Sequence, residues 1–445
     1  MDNVRSIALD AIMEAEGANG GYGNLITSVL NKYDYLDRRD KAFIKLLFEG
    51  TIERRITLDF ILDRKSSVKT AKMKPVIRNI LRMGVYQILF TDAPGYAVVK
   101  ESVNLAGKRG FKGLGGFVNG VLRGILRDAE ASGLKNNNRY EIFLPGPGQY
   151  TPETYLGIKY SLPGDIVNIF ITEYGDRAEK ILEAMSGIRG VSLRFRSGLT
   201  DEEREAAVKA IKETGVILKQ DPQVPFVYQA YHTGDLRSLP GYDEGLFNVQ
   251  DVSSVKAVLA AGIKEGDKVL DACAAPGGKT ILASELAKPS GSVTSCDVSE
   301  AKTDIIKENI ERLGCGNVNV LVRDASVHHP ESDEGYDVVI LDVPCSGLGV
   351  IGKKRDIKYN LSKEGLDSLT GLQRSIIDAC VPYVKKGGTL LYSTCTIRKA
   401  ENEEQVLYIA DNYDYEITEG PVQLLPDEAE QDGFFYCVLR RKPNG

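Results

Sequence analysis

Two cysteines and a few acids are the residues of this 445-residue chain whose types and spacing suggest chemistry. In YDVVILDVPCSGLG, Asp342, Pro344 and Cys345 follow the apolar run Val338-Val339-Ile340-Leu341. About fifty residues on, a second apolar run, Gly388 to Tyr392, ends on Ser393-Thr394-Cys395-Thr396. Such runs, bounded by turn residues, suit strands buried on both faces of a parallel sheet. The acid and the thiols then stand at carboxyl ends, where open α/β sheets bind ligands. If the two strands are neighbours, both thiols and Asp342 converge on one crevice. A thiolate placed there can add across C6 of a cytosine ring, making the otherwise unreactive C5 enamine-like and able to take a methyl group. The thiol needs a lowered pKa, and the ring needs a proton partner near N3 or its amino group. Asp342, three residues before Cys345, is placed for the second task. The competing reading is two buried core cysteines, against which Pro-Cys and Thr-Cys at two strand ends weigh. These residue types do not choose between the two thiols.

A second set lies in Asp271-Ala272-Cys273-Ala274-Ala275-Pro276-Gly277-Gly278-Lys279-Thr280. Here a strand runs into small residues and a Gly-Gly pair, and then into a helix starting near Lys279. The glycines let a ligand approach the backbone, and the helix amides can cradle it. Asp297 closes the next strand, where a carboxylate grips ribose hydroxyls, and Asp324 closes the third, within reach of an adenine amino group. The glycine spacings of dinucleotide and phosphate-loop sites are both missing from this stretch. That argues against a nicotinamide-dependent oxidoreductase and for a ligand without phosphates, S-adenosylmethionine.

These sites need a scaffold. From about residue 245 strands and helices alternate: Lys268–Ala272, Ser292–Asp297, Asn317–Arg323, Tyr336–Asp342 and Gly388–Cys395 read as five strands of a doubly wound parallel sheet. Tyr413–Thr418 and Gly433–Arg441 lack intervening helices and suit an antiparallel addition at the edge. Residues 1–135 carry helical period, with Pro75 opening one helix and Pro94-Gly95 marking a turn. Lys135-Asn136-Asn137-Asn138-Arg139 reads as a linker. Between 145 and 240 a helix over 164–186, a strand at Val191–Arg196, a helix at Glu202–Lys212 and a strand at Val216–Gln220 suggest a small α+β module of ferredoxin-like type. Three parts follow: 1–135 all-helical, 145–240 α+β, and 245–445 α/β.

Composition sets bounds. No apolar run reaches membrane-spanning length, Met1-Asp2-Asn3-Val4-Arg5 opens no signal peptide, and a cytoplasmic protein is expected. The seven cysteines show no C-x-x-C spacing and do not cluster with the three histidines, so neither a metal site nor a disulfide framework is expected. Net charge is −6, yet Arg64 to Arg127 holds thirteen Lys/Arg against Asp92 and Glu101, a local +11 that suits one nucleic-acid-binding face.

LDRRDKAFIKLLFEGTIERR, KPVIRNILRMGVYQILF and FVNGVLRGILR resemble the NusB-type helical RNA-binding domain, which is also found fused to certain ribosomal RNA methyltransferases. DACAAPGGKT, DVPCSGLG and YSTCTIRKAENE resemble the motifs of RNA cytosine-5 methyltransferases. Together they cover nearly the whole chain and resemble the bacterial enzymes that act on 16S ribosomal RNA. The resemblance implies a class I, Rossmann-like methyltransferase domain at 245–445. It implies S-adenosylmethionine binding by Cys273, Ala274, Ala275, Pro276, Gly277, Gly278, Lys279, Asp297, Asp324 and Asp342. It also implies Cys395 as nucleophile and Cys345 as the helper that releases product. Lys399 stands where the family often has proline, and Leu348 where it often has threonine; neither touches a reacting group. A monomer acting on 16S rRNA is expected, with Lys353-Lys354-Arg355 beside the phosphates of the target. A NusB-like RNA-binding protein with a degenerate catalytic domain is the alternative, and S-adenosylmethionine binding separates the two.

Overall fold

Apolar positions recurring every three to four residues fold the start of the chain into helices α1 (Val4–Gly17), α2 (Tyr22–Lys32), α3 (Arg38–Glu53), α4 (Arg55–Lys65), α5 (Pro75–Phe90), α6 (Gly95–Lys108) and α7 (Gly115–Ala131). The computed structural model describes residues 4–17, 22–135, 138–187, 190–354 and 357–443. Met1, Asp2 and Asn3, the linker's Asn136 and Asn137, and Arg355 of the expected basic cluster lie outside the described residues. Among the described residues no helix is long and apolar enough to cross a membrane. Pro75 occupies the first turn of α5, the helix buried over most of its circumference, where its missing N–H costs nothing.

The chain divides into two units, Met1–Ser186 with Ile351–Asn360, and Gly187–Val350 with Leu361–Gly445. That division does not follow the expected 145–240 module. Its helices α8 (Pro152–Tyr160), α9 (Gly164–Tyr174) and α10 (Ala178–Ser186) belong to the first unit, and its strands to the second. The local cause is polar. Thr57 of α4 donates its hydroxyl to the Ile158 carbonyl at 2.5 Å, and Ser161, at φ 55°, accepts the Ile56 N–H at 2.9 Å. The single helix read over 164–186 is broken at Gly175, whose φ of 53° a helix cannot continue through.

Part of the basic stretch is used inside this unit. Arg82 is buried and paired with Glu16 and Asp59, Arg78 also reaches Glu16, Lys65 meets Asp128 at 2.8 Å and Arg109 meets Asp10 at 2.6 Å. Lys69, Lys72, Lys74, Lys100, Lys108, Lys112, Arg123 and Arg127 remain exposed. The turn Ile357–Asn360 is also part of this unit: Lys358 is buried and donates to the Glu53 carbonyl at 2.6 Å, and Tyr359 lies under Arg55 at 4.0 Å.

In the second unit, strands β1 (Val191–Phe195), β2 (Ile217–Gln220), β3 (Val227–Tyr231) and β4 (Phe247–Val249) form an antiparallel sheet of order β2-β3-β1-β4, with α11 (Asp201–Glu213) after β1. This is the strand order of a ferredoxin-like sheet. Then follow α12 (Val252–Ala260), β5 (Lys268–Asp271), α13 (Gly278–Ala287), β6 (Ser292–Asp297), α14 (Glu300–Leu313), β7 (Val318–Val322), β8 (Tyr336–Asp342), β9 (Val384–Thr394), β10 (Tyr415–Leu424) and β11 (Phe434–Arg441). The sheet order is β10-β11-β9-β8-β5-β6-β7, parallel from β9 through β7, with β10 and β11 added antiparallel. Its core is the apolar runs themselves, Val269, Leu270, Val338–Leu341, Leu390 and Leu391. Strand order reverses between β5 and β8, which sets the ligand crevice at their carboxyl ends.

Candidate active site

Neighbouring parallel strands bring the chemistry together. β8 pairs with β9 with Asp342 opposite Ser393, so the loops that follow carry Cys345 and Cys395 to one place. Their sulfurs lie 3.2 Å apart, as free thiols, each partly exposed. The hydrogen bond to Cys395 and burial push the Cys345 thiol well above the ordinary range.

Each loop is tied to the other. Gly349 donates its N–H to the Cys395 carbonyl at 3.1 Å, and a Cβ on Gly349 would run into the Gly433 carbonyl. The Ser346 and Thr396 hydroxyls meet at 2.7 Å. Beneath them Glu401, fully buried, accepts the Ser346 N–H at 2.8 Å and the Gln373 amide at 3.2 Å, while Gln373 also donates to the Pro344 carbonyl at 2.9 Å. Asn402 accepts the Thr394 hydroxyl and donates to the Thr396 carbonyl. Glu401, Gln373 and Asn402 were not among the residues expected from sequence. Glu401 and Asn402 fall inside the quoted YSTCTIRKAENE motif, whereas Gln373 carries no local signal.

Asp342 is held from two sides: Oδ1 accepts the Ser393 hydroxyl at 2.8 Å, and Oδ2 pairs with Lys279 Nζ at 2.7 Å. Lys279, nearly buried, also lies over the Phe434 ring at 5.2 Å. It stands in the first turn of α13, directly after Gly277, whose φ of 102° opens the glycine turn. Asp297, at the end of β6, is buried and accepts the Ala275 N–H at 3.0 Å, with Lys302 at 3.0 Å on its other oxygen. Asp324 is less engaged with the crevice: it is exposed and caps Ser326, whose N–H and hydroxyl hold its carboxyl below the usual range.

Asp271, at the end of β5, was quoted in the motif but not assigned to the site. It is fully buried, accepts only the Thr280 hydroxyl at 2.7 Å, and its second oxygen has no hydrogen-bond partner. Burial pushes its carboxyl up to about 7. Folded Asp271 thus prefers the protonated form, so its contribution to stability is fully present below about pH 4 and falls as pH rises toward 7. The cost at pH 8 is roughly 4 kcal/mol at most. Asp271→Asn should abolish that part of the loss of thermal stability between pH 5 and pH 8; an unchanged pH dependence would contradict the assignment.

The glycine turn, the α13 amides and the acids at three strand ends, Asp271 and Asp297 buried and Asp342 partly exposed, suit a polar ligand that lacks phosphates. The Asp297 carboxylate is tied to that turn by its bond to the Ala275 N–H. Replacing Asp297 by alanine should cost roughly 1.5–3 kcal/mol of cofactor binding, at least tenfold in affinity, by titration calorimetry. Unchanged binding would remove Asp297 from the cofactor site.

The model of a family described as 16S rRNA methyltransferase RsmB/F matches residues 258–440, and that of the NusB family matches residues 2–127. A probable ribosomal RNA small subunit methyltransferase B of Bacillus subtilis is 32% identical over 460 residues, covering 99% of each chain. Among solved structures, PH0851 is similar over 99% of both chains at a TM-score of 0.77 and 23% identity, a likeness of fold. A methyltransferase homologue from Pyrococcus horikoshii is 25% identical, with a TM-score of 0.56 over 66% of this chain and 99% of that one.

Proposed function

Because the chain belongs to the family of 16S rRNA methyltransferases RsmB/F, with a NusB domain at its amino end, we propose that it methylates C5 of a cytidine in 16S rRNA through a covalent cysteine–C6 adduct. S-adenosylmethionine is the cofactor of this family, and small-subunit ribosomal RNA is its substrate class. The observation that carries the finer reading is the pair of thiols 3.2 Å apart beside a held carboxylate.

The cofactor is held by the segment Cys273 to Lys279 with Asp297, and Asp324 lies just past the end of the neighbouring strand. When bound it supplies an electrophilic methyl group. Cys395 adds as thiolate to C6 of an unstacked cytosine, while ring N3 gains a proton. Asp342, fixed by Ser393 and Lys279, meets the N3–amino edge, and Lys279 stands beside it as the proton-bearing partner. With C5 made nucleophilic and methylated, N3 returns its proton to Lys279, and solvent water takes the C5 hydrogen as a proton while its bonding electrons re-form the C5=C6 double bond. The C6–sulfur bond breaks as that double bond forms, and Cys345, as a thiol in contact with Cys395, assists by receiving the departing thiolate through its S–H.

The exposed bases of the helical unit, Lys100, Lys112 and Arg123 among them, supply sequence-independent phosphate contacts. The chain acts as a monomer in this reading. Bisulfite mapping of 16S rRNA from cells lacking the protein tests it: one protected cytidine should become convertible. A methylation pattern identical to that of parental cells would overturn it.

A further inference from the structure

Two thiols 3.2 Å apart, once they have lost one proton, share the remaining one, and catalysis depends on which sulfur keeps it. Nothing in the cysteines themselves makes that choice. The asymmetry lies beneath them. Glu401, with no exposed surface, hydrogen-bonds the peptide joining Cys345 to Ser346, and Gln373 bonds both Glu401 and the Pro344 carbonyl on the other side of Cys345. The backbone around Cys345 is thus gripped from both ends by one glutamate–glutamine pair. The Tyr392 hydroxyl fixes the Glu401 carbonyl at 2.7 Å, and the Arg398 guanidinium stands 3.9 Å from its free oxygen. Two N–H donors and a guanidinium are the surroundings of a carboxylate.

We infer that Glu401 is a positioning residue that decides which thiol carries the proton: its buried charge against the Cys345 peptide keeps hydrogen on Cys345 and leaves the negative charge to Cys395. The inference rests on the adduct mechanism proposed above and assigns the origin of its asymmetry. A second negative charge on Cys345 would lie one peptide from a buried carboxylate, in surroundings where like charges repel strongly. The same repulsion is among the causes that raise the Cys345 thiol, after its bond to Cys395 and burial. Among the described residues, the other charged or titratable groups near the pair include Asp342 at the end of β8, Lys279 of α13 on Asp342, Tyr392 of β9, and Arg398 in the turn after β9. Unlike them, Glu401 is bonded to the peptide between Cys345 and Ser346.

Alkylation reads the choice without RNA or cofactor. The full-length protein is treated with iodoacetamide from pH 6 to 10, and labelling of each cysteine is followed by peptide mass spectrometry. In the parent, Cys395 should react at least tenfold faster than Cys345 near pH 7.5. Glu401→Gln keeps an acceptor for the Ser346 N–H but removes the charge. It should narrow the ratio at least threefold and bring Cys345 labelling to lower pH. Glu401→Asp keeps the charge while withdrawing the acceptor, and should preserve the preference for Cys395. A Glu401→Gln protein with the parental ratio and pH onset overturns the inference. So does the opposite ranking, in which Glu401→Asp loses the preference and Glu401→Gln keeps it, because that is the pattern of a purely structural brace. Equal labelling of both thiols in the parent overturns it as well. The nucleophile assignment is read separately, by whether Cys395→Ala forms an adduct with RNA.

Discussion

Incubated with substrate RNA and S-adenosylmethionine, Cys345→Ala should accumulate a slow-migrating protein–RNA band on a denaturing gel, and Cys395→Ala should show none. The expectation follows from the division of labour between sulfurs 3.2 Å apart. Without Cys395 no thiolate adds to C6, C5 is never activated, and methyl transfer falls to background. Without Cys345 the adduct forms and the methyl group transfers, but the departing sulfur lacks its S–H partner, so the protein stalls on methylated RNA. Asp342→Asn should slow adduct formation in the parent and in Cys345→Ala, since the side chain that holds Lys279, and that is proposed to meet the ring, loses its charge. A band from Cys395→Ala and none from Cys345→Ala would exchange the two roles.

Arg194→Ala should be among the most destabilising single changes in the second unit. Arg194 has no exposed surface, donates to Gln250 at 2.8 Å, and grips Glu285 of α13 with both terminal nitrogens, at 2.8 and 3.2 Å. Truncation leaves the Glu285 carboxylate nearly buried, with the Ser197 N–H as its remaining named donor. An uncompensated buried charge costs about 3–5 kcal/mol. That corresponds to roughly 6–20 °C in the melting of a unit of this size. Arg194→Lys should recover only part, because an ammonium cannot reproduce the two-pronged contact. α13 carries Lys279 at its other end, so cofactor affinity should fall along with stability. A melting temperature within 2 °C of the parent would show that the pair is dispensable.

How much of this was legible in the sequence varies by element. β8 matches its expected bounds, Tyr336 to Asp342, because a parallel strand buried on both faces is a continuous apolar run. β9 begins at Val384 rather than Gly388, its first turn hidden behind Lys385, Lys386 and Gly387. β3 and β4 went unread for different reasons. β3 buries Gln229, which its period would place outside, by bonding it to Ser192 at 2.8 Å, and β4 is only three residues long. The association of α8–α10 with the helical unit was likewise invisible, since it depends on Thr57 and Ser161 meeting across about a hundred residues.

The site divides in the same way. The cysteines, Asp342 and the glycine turn are local motifs at strand ends, and the sheet register alone brings them together. Gln373 sits mid-helix within Lys363–Cys380, with nothing around it in sequence to mark its bond to the Pro344 carbonyl. Asp324 shows a different limit: it lies two residues past the end of β7, and one of its carboxyl oxygens takes both the N–H and the hydroxyl of Ser326.

Before the methylated base is released from the adduct, substitution at C5 must expel the hydrogen that was there. Small-subunit rRNA made with cytidine tritiated at C5 therefore tests the central claim most directly. With the parent protein and S-adenosylmethionine, one tritium should be released to water for each methyl group transferred, and release coupled to transfer should vanish in Cys395→Ala. Methyl transfer to the RNA with the tritium retained would place the new methyl group elsewhere on the nucleotide and contradict the account.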